Sequence, residues 1–187
     1  MTETAKKPES MARLVIVLFA VTAIVAFLLG LVDFITRDKI AANIKAKTDA
    51  AMSAVLSADE YTALDTYADE SGIVNSIYKA TDASGNLLGY VSEVSPSGFG
   101  GAINMVVGVD TTGAVTGISI VKMTETSGLG DNASNSSFRE QYVGKTGTIA
   151  VDKDGGEIFA LTGATVTSRA VTDGVNAVLA AVASLAS

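Results

Sequence analysis

Residues 102–122 read AINMVVGVDTTGAVTGISIVK, two β-branched runs on either side of Asp110, Thr111, Thr112 and Gly113. Apolar β-formers flanking a short, glycine-bearing turn predict a β-hairpin. Upstream, residues 73–80 and 87–94 repeat the pattern around a second turn cluster at 82–86, which extends the hairpin into an antiparallel sheet. Downstream the period changes. Val171, Val175, Val178, Val182 and Leu185 recur at spacings of three and four, the signature of one apolar face of a helix over about 168–186. Between them, 136–143 reads as a short helix, and 148–151 and 158–161 as short strands. Strands followed by helices in this mixed order predict an α+β fold, an antiparallel sheet with flanking helices.

The other end of the chain obeys a different rule. Residues 14–32 form a 19-residue uncharged run in which Thr22 is the one strongly polar side chain. At about 1.5 Å per residue such a helix matches a hydrocarbon core of roughly 30 Å. A cleaved signal peptide would have a shorter apolar region and a small-residue cleavage site. Gly30, Leu31, Val32, Asp33 and Phe34 supply none, so a retained single-pass anchor in the cell (inner) membrane is expected. Lys6, Lys7 and Arg13 precede the run and Arg37, Lys39, Lys45 and Lys47 follow it, a balance that leaves either orientation open. Ile40, Ile44, Ala51 and Val55 suggest that the helix continues as a stalk, with the acidic stretch 59–70 as a surface connection. The expected organisation is a terminal segment 1–13, a transmembrane helix 14–35, a stalk and connection 36–70, and one folded domain 71–187, an ordinary size for a single core.

Composition removes whole classes of chemistry. The 187 residues contain no cysteine and no histidine, and carry a net charge of −7. Protein-ligated iron–sulfur clusters, thiol redox chemistry, histidine-ligated haem, the common zinc sites and His-dependent nucleophilic triads are therefore excluded, and no metal site is expected. An acidic chain of this kind is no nucleic-acid partner. Any redox chemistry must come from an organic cofactor.

Three glycine-punctuated segments offer a place for one. Leu161, Thr162, Gly163, Ala164, Thr165, Val166, Thr167 and Ser168 lead into the final helix. Small residues there let a bulky ligand approach the backbone. The unpaired N–H groups and dipole of a first helical turn, with Thr167 or Ser168 as N-cap, favour a phosphate. The same segment also suits an ordinary capped helix after a tight turn. Glu125, Thr126, Ser127, Gly128, Leu129, Gly130 and Asp131 follow directly on the strand that ends near Lys122, as binding loops do. Pro96, Ser97, Gly98, Phe99, Gly100 and Gly101 precede the hairpin. Each alone reads equally well as a turn.

In this order and spacing, from about Gly89 onward, the segments resemble the FMN-binding domain shared by the G subunit of Rnf-type electron transport complexes and the C subunit of sodium-translocating NADH:quinone reductases. The chain length and the Gly98-Phe99-Gly100-Gly101 pattern are closer to the former. The resemblance implies FMN carried in phosphoester linkage on Thr165, installed by a separate flavin transferase that uses FAD. It implies further cofactor contacts from Thr162, Gly163, Ala164 and Thr167, and from Glu125, Thr126, Gly128, Leu129 and Gly130. Lys153 matches the family's basic residue near the flavin phosphate, and reads equally as a solvated turn lysine. Ser127 stands where proline is usual. Phe159 stands six positions before Thr165, where many transferase targets have aspartate.

The implied role is an electron-transfer subunit of a ferredoxin:NAD oxidoreductase coupled to sodium-ion or proton translocation. Its partners would be the other subunits of the complex, the transferase and membrane lipid, and its flavin domain would face the extracytoplasmic side. Two other classes compete with this reading. A non-redox membrane-anchored adaptor needs no reactive threonine, and an independent reductase needs a nicotinamide site, for which no G-x-G-x-x-G follows a strand. A quinone reductase C-type subunit or a stand-alone flavin carrier is the variant within the family.

Overall fold

A computed structural model describes residues 11–64 and 72–185. A boundary between Asn43 and Ile44 divides the chain into two units. The first is helical throughout its described part, being the larger share of α1 (Met11–Val55). Its apolar window is long and hydrophobic enough to cross a bilayer. The large side chains from Leu14 to Val32 are exposed on every side of this helix. The hydroxyls of Thr22 and Thr36 are satisfied internally. Thr22 Oγ1 donates to the Leu18 and Phe19 carbonyls at 3.0 Å, and Thr36 Oγ1 to the Val32 carbonyl at 2.8 Å. Neither presents an unmet polar group to hydrocarbon.

In the second unit, β1 (Glu60–Ala63), β2 (Val74–Thr81), β3 (Leu87–Val94), β4 (Asn104–Asp110) and β5 (Val115–Lys122) form an antiparallel meander in sequence order. The central register pairs Val91 with Gly108 and Val107 with Ile118. Residues 59–70, expected as a plain surface connection, contain the edge strand β1, which pairs Tyr61 with Ala80. Four residues with an acidic first position carry too little alternation to signal a strand, and the neighbour β2 supplies the ladder. The rest of that expected connection, 65–70, lies outside the described residues.

Each face of the sheet has its own cover. On one, the last turns of α1 bury Ala51, Met52 and Val55 against Ala80, Val91 and Val106. Three strands present glycine there. A Cβ at Gly89 would lie 3.0 Å from Leu56 Cδ2, one at Gly108 would lie 3.0 Å from the Val55 carbonyl oxygen and fall on Thr116 Oγ1, and one at Gly117 would lie 3.4 Å from Val55 Cα. The helix end thus sits in a trough cleared of side chains, and Thr116 Oγ1 donates to the otherwise orphaned Val55 carbonyl.

On the other face lies α3 (Thr165–Leu185), with Val171, Val175, Val178 and Val182 packed with Val94, Met105, Val107 and Val109 in the main core. Close approach again requires a glycine, because a Cβ at Gly174 would lie 3.0 Å from Pro96 Cγ. Tyr142 and Phe138 close this core with their rings edge to face at 5.6 Å. Thr172 Oγ1 donates its proton to the Ser168 carbonyl, so the buried Tyr142 hydroxyl is the donor of the 2.8 Å bond between the two side chains. Burial holds that phenol protonated, well above its ordinary pKa.

The short helix expected over 136–143 is one helical turn, α2 (Ser136–Arg139), continued by a 3₁₀ turn, Glu140–Tyr142. The rest of the segment before α3 departs from expectation in two ways. The expected strands 148–151 and 158–161 reduce to one parallel bridge, Val151 with Ile158. The reason is that side chains take the hydrogen bonds a ladder would use. Asn176 accepts from the Ile149 N–H and donates to its carbonyl, both at 2.8 Å, and Asp152 Oδ1 accepts the Ala160 N–H. Finally, α3 starts at Thr165, three residues before its expected start. Ser168 is no N-cap, since its hydroxyl accepts the Leu161 N–H at 2.9 Å and donates to the Ala164 carbonyl at 3.0 Å. Thr167 is no cap either, since its hydroxyl points to Glu125.

Candidate functional site

The loop after β5, the loop before β4 and the first turn of α3 meet at one side chain. Glu125 Oε1 accepts the Gly100 N–H at 2.9 Å, and its Oε2 accepts the Thr167 hydroxyl at 2.6 Å. Thr124 Oγ1 adds a bond to the Gly100 carbonyl at 3.0 Å. A single carboxylate therefore joins three segments remote in sequence. The glycines around it are steric necessities. A Cβ at Gly130 would lie 2.7 Å from Thr167 Oγ1 and 2.8 Å from Glu125 Oε2, and one at Gly98 would fall on Glu125 Oε1.

These elements enclose a cavity of about 420 Å³ lined by Phe99, Glu125, Thr126, Leu129, Gly130 and residues 163–167. The size lies in the range of roughly 300–1,000 Å³ usual for small-molecule sites. Phe99 and Leu129 are exposed apolar side chains, at 74% and 43%, as is Val166 at 49%. Thr165, the first residue of α3, is half-buried in the wall. Gly163 has φ +76°, a turn open to glycine, and a Cβ there would press on Leu129 Cδ2 at 3.2 Å. Behind the wall, Ser127 Oγ donates to Asp131 Oδ2 at 3.1 Å, while the buried Asp131 Oδ1 has no partner among the described residues.

Of the residues singled out from sequence, Glu125, Thr126, Leu129, Gly130, Gly163, Ala164, Thr165 and Thr167 come together here. Gly128 (φ +76°) shapes the loop behind them, and its carbonyl accepts from Asn132 Nδ2. Thr162 is exposed outside the wall. Lys153 also lies outside it, in the 3₁₀ turn Asp152–Asp154, with Nζ 3.3 Å from Asp152 Oδ2. Phe99 and Val166 also line the cavity, residues that lie in the segments quoted from sequence but were not assigned as contacts. The signal for Phe99 is a lone aromatic among glycines, and for Val166 an apolar residue off the buried face of α3. Phe159 is 73% exposed, its backbone N–H donated to Gln141 Oε1 at 2.7 Å.

Beside the helix start, Arg169 Nε and Nη2 donate to the two Asp154 oxygens at 2.7 and 2.6 Å. The guanidinium holds the Asp154 carboxyl below its ordinary pKa, and the Ala160 N–H does the same for Asp152. No group of acidic, cysteine or histidine residues suited to a metal occurs among the described residues.

The slot is thus largely apolar, with Thr165 at a helix start and the hydrogen-bonded Glu125 in its wall. Residues 98–180 match the model of the FMN-binding domain. Residues 1–55 match the model of the RnfG N-terminal region. Over 183 residues the chain is 32% identical to the G subunit of the Na(+)-translocating ferredoxin:NAD(+) oxidoreductase complex of Acetobacterium woodii, covering 88% of this chain and 87% of that one. It is 29% identical over 170 residues to the G subunit of the ion-translocating oxidoreductase complex of Methanosarcina acetivorans, covering 88% and 90%. The chain belongs to the family of G subunits of Rnf-type complexes. Among solved structures, Shewanella oneidensis NqrC shows a partial likeness, with 18% identity, 59% of this chain and 67% of that chain covered, and a TM-score of 0.47.

Proposed function

We propose that the chain is the membrane-anchored flavin subunit of an ion-translocating ferredoxin:NAD oxidoreductase complex, with FMN held in phosphoester linkage on Thr165 Oγ. The observation that carries this reading is that Thr165, the first residue of α3, is one of the residues lining the apolar cavity. Attachment forms a bond from that oxygen to the FMN phosphorus of FAD and breaks the diphosphate, releasing AMP, while the hydroxyl proton passes to the transferase. Bound flavin supplies electron transfer in steps of one or two electrons. The chain's own residues do the rest. Phe99, Leu129 and Val166 offer apolar surface to a ring and exclude water from its faces. The Gly163 turn and Ala164 admit the chain of the ligand close to the backbone. The N–H groups at the start of α3, with the helix dipole, favour the phosphate charge. Glu125 fixes the walls relative to one another through Gly100 and Thr167.

In this reading α1 spans the cell membrane once, the flavin domain faces the extracytoplasmic side, and the other subunits supply the ferredoxin and NAD sites and the path for sodium ions or protons. Family membership and the apolar helix support it. The test is the intact mass of the chain produced with the flavin transferase, beside Thr165→Val. An increment of one FMN less one water in the wild type and none in the variant is expected. A wild-type chain that stays unmodified with active transferase overturns the covalent reading and favours the adaptor class.

A further inference from the structure

Arg169 lies one helical turn beyond Thr165, so the two share a face of α3 with Cβ atoms about 5–6 Å apart. Long side chains on a helix lean toward its N-terminus and cover the preceding turn, which for Arg169 is the turn bearing Thr165. Its guanidinium is engaged by Asp154 in a two-point fork, Nε to Oδ2 and Nη2 to Oδ1. That is the pattern in which the two free oxygens of a phosphodiester would also bind. Both side chains are nearly half exposed, at 48% and 42%. An ion pair open to solvent on this scale is screened and can be exchanged for another anion. A diester on Thr165 is that anion, because it is tethered one turn away and needs no diffusional encounter. Neither Arg169 nor Lys153 lines the cavity, but Arg169 stands on α3 one turn from Thr165, whereas Lys153, the basic residue singled out from sequence, lies in the turn Asp152–Asp154 beside Asp152.

Resting on the flavin reading above, we propose that Arg169 is the residue that holds the Thr165-linked phosphate, and that Asp154 keeps its guanidinium folded and aimed until the phosphate arrives. The ion pair is then a placeholder rather than a staple between the turn Asp152–Asp154 and α3. The two roles predict opposite patterns. If the pair only braces the fold, removing either partner has the same effect. If Arg169 takes the phosphate, removing Asp154 frees the guanidinium, whereas removing Arg169 leaves the phosphate with one cation fewer.

The test uses the full chain with the flavin transferase, comparing wild type, Arg169→Gln, Arg169→Lys and Asp154→Asn. Loading is followed by intact mass, and the melting temperature is measured with and without flavin. Loading of Arg169→Gln is expected to fall roughly ten-fold, the loss of one charge-assisted hydrogen bond. Its gain in melting temperature on loading should shrink, with the flavin-free melt close to that of Asp154→Asn. Asp154→Asn should load at least as fast as wild type, and Arg169→Lys should fall between. Arg169→Gln that fails to load while Asp154→Asn loads normally supports the assignment equally. Equal behaviour of Arg169→Gln and Asp154→Asn in loading and in stabilisation overturns it while leaving the Thr165 linkage intact. A wild-type chain that takes no flavin overturns both readings.

Discussion

Replacing Thr167 by valine keeps the shape of a side chain that is 1% exposed and removes one donor, the hydroxyl 2.6 Å from Glu125 Oε2. Hydrogen bonds to a charged partner are worth about 1.5–3 kcal/mol. Glu125 retains the Gly100 N–H and is only half-buried, so water recovers part of the loss and the lower figure applies. The expected destabilisation is about 1.5 kcal/mol, or roughly 3–6 °C in melting temperature for a unit of this size. The assay is thermal and urea unfolding of the full chain in detergent, with wild type and variant in the same flavin state. A double-mutant cycle isolates the bond, because in a Glu125→Ala background the valine should cost less than about 0.5 kcal/mol. An equal cost in both backgrounds, or a cost below that figure in the wild type, would refute the view of Glu125 as the joint between the three segments.

Valine in place of Gly108 should destabilise the second unit by about 1–3 kcal/mol through overpacking, because its Cβ meets the Val55 carbonyl. Amide exchange should speed up first around residues 51–56, and exchange that rises uniformly would contradict the trough. Acid should loosen the turn Asp152–Asp154 before the core. Both carboxyls are held below their ordinary pKa, so their contribution is complete above the unfolded value near about 4 and is lost as pH falls through the lower folded values. Amide protection at 152–156 should therefore be flat from neutral pH down to about 5 and drop below about 4.

The sheet and the final helix were legible because their signals are local. The hairpin about Asp110–Gly113 shows β-forming runs on either side of a glycine-bearing turn, and Val171, Val175, Val178 and Val182 the period of a helix. What escaped the sequence depends on partners distant along the chain. The edge strand β1 exists through the ladder of β2, and residues 148–151 need no strand partner because Asn176 of α3 imitates one. The start of α3 is misplaced in a sequence reading because Ser168 has the chemistry of a cap and is used instead to tie down Leu161. The cavity residues were largely legible because glycines and a helix start mark them locally. The ion pair of Arg169 with Asp154 was not, since an arginine on an amphipathic helix looks like any solvated cation until the turn carrying Asp154 is placed against it.

Between Leu14 and Val32 the long helix offers bulky apolar side chains in every direction and keeps its hydroxyl for its own backbone. Such a cylinder specifies a depth in hydrocarbon but no heading, since turning about its axis exchanges one apolar side for another at no cost. Bearings have to come from the ends of the span, where Arg37 lies 4.9 Å over the ring of Phe34.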